Sequence, residues 1–199
     1  MALSYAPTTE LEAVNEMLTS IGNSPLSSLE DISDILDAVI AQQTLHDVSR
    51  EIQSEGWHFN TEQCYTLTPD AVDGELDLPA NCLSADTTGS NASLDVAVRG
   101  QKLYDLVEHT YDFSAYVSGV ECELVLFLEW AELPEYARKY FYVRASRLFA
   151  KKVMGSTELA SLTNDDEVRA FANFKSREAT AADHNVLSQS QVQAAWLRL

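Results

Sequence analysis

Hydrophobic periodicity changes twice along the chain and divides it into three segments. From residue 10 to residue 56, apolar residues recur at three- and four-residue steps, as they do on helices. Between residues 57 and 132 they alternate with polar residues or form short runs, which is typical of strands. Helical spacing returns at residue 133. This order predicts an α+β protein, in which N- and C-terminal helices form a helical bundle with a small antiparallel β domain inserted between them.

Two helices are predicted before residue 57. Thr9 and Glu12 have the spacing of a capping box, and the apolar pattern that follows them stops at Gly22. A second apolar stripe begins at Ile32 and ends before Gly56. Because a short loop joins the two helices, we expect them to pack antiparallel.

The middle segment is predicted to contain short strands separated by glycine and proline turns. Trp57, Phe59 and Thr61 alternate with polar residues, which indicates a half-buried strand. The other candidate strands are residues 75–78, 94–99, 103–107 and 120–128. We therefore assign residues 57–132 to the antiparallel β domain, and residues 1–56 with residues 133–187 to the helical bundle domain.

The C-terminal third is predicted to contain two helices. Pro134 suits the first turn of a helix whose apolar stripe ends at Gly155. Asn164 and Glu167 have the spacing of a second capping box, so the last helix is expected to begin there and to continue toward Leu187.

Residues 188–199 are assigned to a C-terminal arm. The arm is polar at first and then carries Trp196 and Leu197. Such an arm either frays in solvent or anchors on a neighbouring subunit, and the second alternative makes Trp196 and Leu197 candidate interface residues.

Charge is distributed unevenly along the chain, whose formal net charge is −18. Residues 1–132 contain 24 acidic and three basic residues, a net charge of −21, whereas residues 133–199 contain seven acidic and ten basic residues, a net charge of +3. The acidic excess argues against a protein that binds nucleic acid through its phosphates. The basic residues of the helix after Pro134 form either a solvated face or a docking face for an acidic partner.

Motifs for catalysis and cofactor binding are missing from the sequence. It has no glycine-rich phosphate loop, no nucleophile elbow and no HExxH zinc motif, and its four histidines are scattered. Cys64, Cys82 and Cys122 are far apart and form no CxxC pair, so we expect buried free thiols. No apolar run approaches the length of a membrane-spanning helix. No catalytic residue, metal site or cofactor is therefore predicted.

Neighbouring carboxylates are the one enzyme-like feature. Asp73 lies near Glu75, and Glu121 lies near Glu123. Two acids flanking a sugar can hydrolyse a glycosidic bond, but adjacent acids are expected in a chain with 31 of them. A carboxylate-dependent hydrolase therefore stands as an alternative to a structural role.

Several short segments are informative in combination, although none is specific alone. These segments are Leu11–Gly22 followed by Pro25 and Leu29, Arg50–Asn60, Leu76–Pro79, Val98–Gly100 with Leu103–Asp105, Leu133–Arg138, Arg144–Arg147 and Asp165–Glu167. Their order and their coverage of most of residues 10–187 resemble the tail tubular protein A family of short-tailed bacteriophages. Departures from the family pattern are local, such as Gln101 in place of a second glycine.

The resemblance implies a structural virion protein with no catalytic centre and no cofactor. It implies a tail adaptor: a dodecameric homo-oligomeric ring that joins the portal protein to the tail nozzle and forms part of the DNA ejection channel. DNA would pass through this channel without specific binding. The protein would be made in the host cytoplasm and reside in the virion tail.

Two alternatives to the adaptor stay open. Some members of the family have been linked to polysaccharide hydrolysis, which keeps a tail-associated polysaccharide hydrolase as the first alternative. A free-standing regulatory or scaffolding module is the second.

A ring needs one surface of each subunit to meet a different surface of the next subunit. An acidic body and a basic helix offer such a pair. We therefore expect Arg138, Arg144, Arg147 and Lys151 to contact an acidic surface of a neighbouring subunit or of the portal.

Overall fold

The chain folds into two compact units. The computed structural model describes residues 6–155 and 157–182. One unit, called the β unit, is formed by Ser49–Glu132. The other, called the helical unit, is formed by the parts of the chain before and after it. The first is built from strands and short turns and the second from helices, so the predicted α+β class is confirmed. None of the helices in the described ranges is long and apolar enough to cross a membrane.

Two of the predicted helix ends are confirmed in atomic detail. The described residues form four α-helices: α1 (Glu10–Ser20), α2 (Leu36–Gln53), α3 (Glu135–Met154) and α4 (Thr157–Ala181). The capping box of α1 is present: the Thr9 side chain accepts a hydrogen bond from the Glu12 backbone, and the Glu12 carboxylate accepts one from the Thr9 backbone. Gly155 ends α3 in the left-handed conformation that glycine tolerates, with φ of 61°.

Two other helix boundaries were predicted wrongly. Helix α4 begins at Thr157, so Asn164 and Glu167 lie inside it and not at its start. The stripe that starts at Ile32 is not one helix, because a 3₁₀ turn over Leu29–Asp34 is followed by an extended Ile35, and α2 begins only at Leu36.

The helical unit is organised around α3. Helix α1 packs against α3, and α3 packs against α4. Aromatic rings fill the α3–α4 contact: the Tyr140 ring centroid lies 5.1 Å from those of Phe171 and Phe174. Helix α1 reaches α2 through side chains, since the Glu10 carboxylate accepts a hydrogen bond from Gln42. The antiparallel packing of α1 on α2 stays a prediction, whereas the packing of α1 on α3 is observed.

The β unit, Ser49–Glu132, contains a three-stranded and a two-stranded antiparallel sheet. Its strands are β1 (Thr61–Leu67), β2 (Cys82–Thr87), β3 (Val96–Arg99), β4 (Lys102–Asp105) and β5 (Val120–Leu126). The longer sheet has the order β1-β5-β2, and the short strands pair as a hairpin. Alternate residues of the central strand, namely Val120, Cys122 and Leu124, are buried in the core with Leu76 and Phe113.

Three strand predictions need correction. The strand predicted from Trp57 is a 3₁₀ turn over His58–Asn60, and the ladder begins only at Thr61. Residues 75–78 form a single bridge, between Asp77 and Lys102, and no strand. Strand β2 was not predicted, because serine, alanine and aspartate in its sequence are weak strand formers.

Two buried amides hold the end of α2 against the chain that leaves β5. Gln53 is fully buried; its side chain donates a hydrogen bond to the carbonyl of Leu128 (3.0 Å) and accepts one from the Leu128 amide (2.7 Å). Asn60 donates to the carbonyls of Gln53 (2.9 Å) and Leu126 (2.8 Å) and accepts from the Trp57 amide (2.8 Å). This accounts for the turn at residues 58–60, because the chain bends to bring the Asn60 amide inside.

Candidate functional site

Arg138, the first of the predicted interface residues, is buried inside the helical unit. Its guanidinium donates hydrogen bonds to the carbonyls of Leu133 (2.8 Å) and Thr8 (2.9 Å), and only 7% of the residue is exposed. Thr8 also makes hydrogen bonds to α3, since its backbone amide and its hydroxyl both donate to the carboxylate of Glu135. Arg138 therefore anchors the segment before α1 to the start of α3.

Arg144 and Arg147 are brought together by a carboxylate of α4. The Arg147 guanidinium pairs with one carboxylate oxygen of Glu167, and the Arg144 guanidinium lies 3.6 Å from the other. Glu167 is 8% exposed, while the two arginine side chains keep about a quarter of their surface in solvent. Because Glu167 neutralises part of this charge, the two arginines mainly stabilise the α3–α4 contact.

Lys151 is the one member of the predicted set of four that lies fully on the surface. Two further lysines of α3 and three basic residues of α4 are also exposed: Lys139, Lys152, Arg169, Lys175 and Arg177. The α4 residues were missed, although their spacing around the buried positions 167, 174 and 178 of that helix is a signal for an outward face. Trp196 and Leu197 lie outside the described residues.

The β unit is strongly acidic, with 16 acidic and three basic residues between Ser49 and Glu132, a net charge of −13. All three basic side chains interact with other side chains of the same unit. Arg50 lies over the Phe127 ring, Arg99 lies 3.7 Å from the centroid of the Tyr104 ring, and Lys102 pairs with Glu75. The surface that remains is dominated by carboxylates.

The two carboxylate pairs of the sequence lie in different places within the β unit. An oxygen of Asp73 accepts a hydrogen bond from the backbone of Glu75, whose own carboxylate pairs with Lys102. Glu121 and Glu123 point from β5 to the face opposite the core. In the described ranges, histidine, cysteine and acidic residues form no group of three or more that could hold a metal ion.

The three cysteines are free thiols, as expected, but only Cys122 is buried. Burial raises the pKa of Cys122 to about 11. Cys64 is exposed, and a hydrogen bond with Glu121 raises the pKa of its thiol. Both shifts favour the protonated thiol, which is a poor nucleophile.

Comparison with known proteins places these features in a family. The sequence profile of the tail tubular protein family matches residues 11–184, which is most of the chain. A search of curated proteins found no match. Since the profile covers far more than half of the sequence, the chain belongs to the tail tubular protein family.

Proposed function

We propose that this member of the tail tubular protein family is a tail adaptor, which forms a ring between the portal protein and the tail nozzle. Family membership makes the chain a structural component of a bacteriophage tail. A structural family also favours a non-catalytic role over the hydrolase alternative. The match over residues 11–184 is the observation that carries the proposal.

The contrast between exposed cations on α3 and α4 and the acidic β unit supports assembly into a closed homo-oligomeric ring, which we propose to be a dodecamer. Exposed cations lie on α3 and α4, while the β unit carries a net charge of −13. Surfaces of opposite charge on two copies attract each other, and surfaces of like charge repel each other. This charge distribution favours contacts that join different faces of adjacent subunits. Of the predicted interface set, Lys151 is exposed for such a contact, and Lys139 is a further exposed lysine near the start of the same helix.

Assembly can be tested by measuring the mass of the purified chain, alone and mixed with the portal protein of the same phage. We expect a ring of about twelve copies on the portal, and a high-salt control should weaken its formation because the contacts are partly ionic. A chain that stays monomeric and does not bind the portal would contradict the adaptor. Such a chain should next be tested with polysaccharide substrates, because the hydrolase would then be the better proposal.

A DNA channel needs a wall that does not retain DNA. The acidic excess of the β unit repels phosphates, and its three bases are already engaged by Phe127, Tyr104 and Glu75. We therefore propose that the β unit contributes to the lining of the ejection channel.

Duplex DNA should show no measurable binding to the purified protein at moderate salt. The expected dissociation constant is weaker than the roughly 10⁻⁴ M at the weak end of non-specific DNA binding. Fluorescence anisotropy of a labelled duplex gives the measurement, and a matched control is the variant Glu121→Lys with Glu123→Lys, whose reversed charges should raise affinity. Tight, salt-sensitive binding of the unmodified protein would contradict a non-binding wall.

A further inference from the structure

Strand β1 forms an open edge of the three-stranded sheet. It is the outermost strand in the order β1-β5-β2, and it pairs with β5 along one side. On its other side, no strand of the described residues pairs with it. An edge of this kind presents backbone N–H and C=O groups, to which an extended segment of another chain can add as a further strand.

The side chains of β1 are also open to solvent. Thr61 is half-buried and Leu67 is buried, whereas the five residues between them are all exposed. Tyr65 is 41% exposed, although it lies opposite the buried Cys122 on the core side of the sheet. The single chain therefore leaves β1 uncovered, and any cover has to come from another molecule.

Two features of β1 disfavour pairing with a second copy of itself. Its register with β5 shifts between Glu62 and Tyr65, where Cys64 has a φ of 57°, which marks a β-bulge. Bulges and charged residues such as Glu62 are the means by which edge strands avoid joining like edges. An antiparallel pair of β1 strands would also be two-fold symmetric, which closes a dimer and not a larger ring. We therefore expect a different segment to add to β1.

The C-terminal arm, residues 188–199, has the sequence of a segment that can add to such an edge. Polar and apolar residues alternate in Gln191–Gln193, and Trp196 and Leu197 follow. The arm contains neither glycine nor proline, the residues that interrupt a strand. The exposed Tyr65 ring offers Trp196 a contact, because aromatic pairs on adjacent strands are favourable.

Charge and length also suit the arm to β1. Arg198 is the one charged side chain of the arm, and Glu62 gives β1 the opposite charge. The neighbouring strand β5 adds Glu121 and Glu123 on the face opposite the core. Residues 183–199 can span roughly 55 Å when extended, more than twice the roughly 23 Å of a strand as long as β1. The arm is therefore long enough to leave its own subunit and pair along the whole of β1.

We propose that the C-terminal arm of one copy adds to β1 of the next copy as a fourth strand of its sheet. The proposal rests on the ring proposed above and names a contact that joins its subunits. Because the arm and β1 are different parts of the chain, the contact joins unlike surfaces, as a cyclic ring requires. Backbone hydrogen bonds along the edge supply affinity, and the contacts of Trp196 with Tyr65 and of Arg198 with the acidic residues supply specificity.

Cross-linking in mixed rings tests this contact, because Cys64 places an exposed native thiol on β1. One population of full-length chains carries Ala195→Cys in the arm together with Cys64→Ser, and the other is the unmodified chain. The two are mixed, assembled with the portal protein and treated with a short bifunctional maleimide. We expect cross-links between positions 195 and 64, identified by peptide mapping, at least roughly tenfold in excess of a control mixture, because docking raises the effective concentration of the two thiols.

In the control mixture, Ala179→Cys replaces Ala195→Cys. Ala179 is also an alanine and is exposed on α4, so its thiol would be accessible but would lie outside the arm. The variant Trp196→Ala supplies a second measurement. It should lower the yield of rings about tenfold, as truncation of an aromatic anchor does, and leave the circular dichroism of the monomer unchanged.

Rings that form without excess cross-links between positions 195 and 64 would overturn the proposed contact and leave the adaptor function intact. An unchanged ring yield for Trp196→Ala would overturn it in the same way. If no ring or portal complex forms at all, both proposals are wrong.

Discussion

Replacing Asn60 with alanine should lower the free energy of unfolding of the β unit by about 2–4 kcal/mol. Asn60 is 2% exposed and makes three hydrogen bonds to backbone groups. Alanine would leave two carbonyl groups, those of Gln53 and Leu126, and the Trp57 amide without these bonds in the interior. Urea unfolding followed by tryptophan fluorescence measures the loss, and Trp57 reports directly on the affected turn.

Asn81→Ala is the matched control for this effect. Asn81 also donates from its amide to a backbone carbonyl, that of Phe127 (2.9 Å), but it lies on the surface. Water can replace that bond, so we expect a loss below about 1 kcal/mol. If Asn60→Ala and Asn81→Ala lowered the free energy of unfolding equally, burial of the Asn60 hydrogen bonds would not be the reason for their contribution to stability.

Structure that depends on a few consecutive residues could be predicted from the sequence. The capping box of Thr9 and Glu12 is local, and so is the glycine that ends α3 at position 155. In both cases the residue type that satisfies the backbone lies within one helical turn of the group it satisfies. The long central strand β5 was predicted for a similar reason, because alternation of buried residues is visible in its own sequence.

Structure that depends on distant partners could not be predicted. Glu167 has the spacing of a helix cap, yet its carboxylate pairs with arginines 20 and 23 positions earlier. Asn60 continues a strand-like pattern, yet its side chain bonds to a carbonyl 66 residues away. Local patterns identify what a side chain can do, but they do not identify which distant partner is present.

The same limitation applies to the candidate interface. The sequence correctly places Arg138, Arg144, Arg147 and Lys151 on one helix, but these residues differ in how deeply they are buried. Arg138 is bonded to two backbone carbonyls and the other two arginines share Glu167, whereas Lys151 is exposed. Arginine suits the internal positions because its planar group donates several bonds at once, whereas Lys151 remains exposed at the surface.

Replacing Glu167 with alanine should lower the free energy of unfolding of the helical unit by about 2–4 kcal/mol. The substitution leaves Arg144 and Arg147 near each other without the carboxylate that neutralises them. It also removes a buried side chain beside the aromatic contact of α3 with α4. Circular dichroism during chemical denaturation measures the loss, since most of the helical signal comes from this unit.

Two further variants separate charge from packing at this position. Glu167→Gln keeps the size and one hydrogen-bond acceptor but removes the negative charge, so it should lose less than Glu167→Ala does. Asp166→Ala removes an exposed acid one residue earlier on α4 and should change stability by less than about 0.5 kcal/mol. If Asp166→Ala were as destabilising as Glu167→Ala, the loss would come from the overall charge of α4. The pairing of Glu167 with Arg144 and Arg147 would then not be what holds α4 on α3.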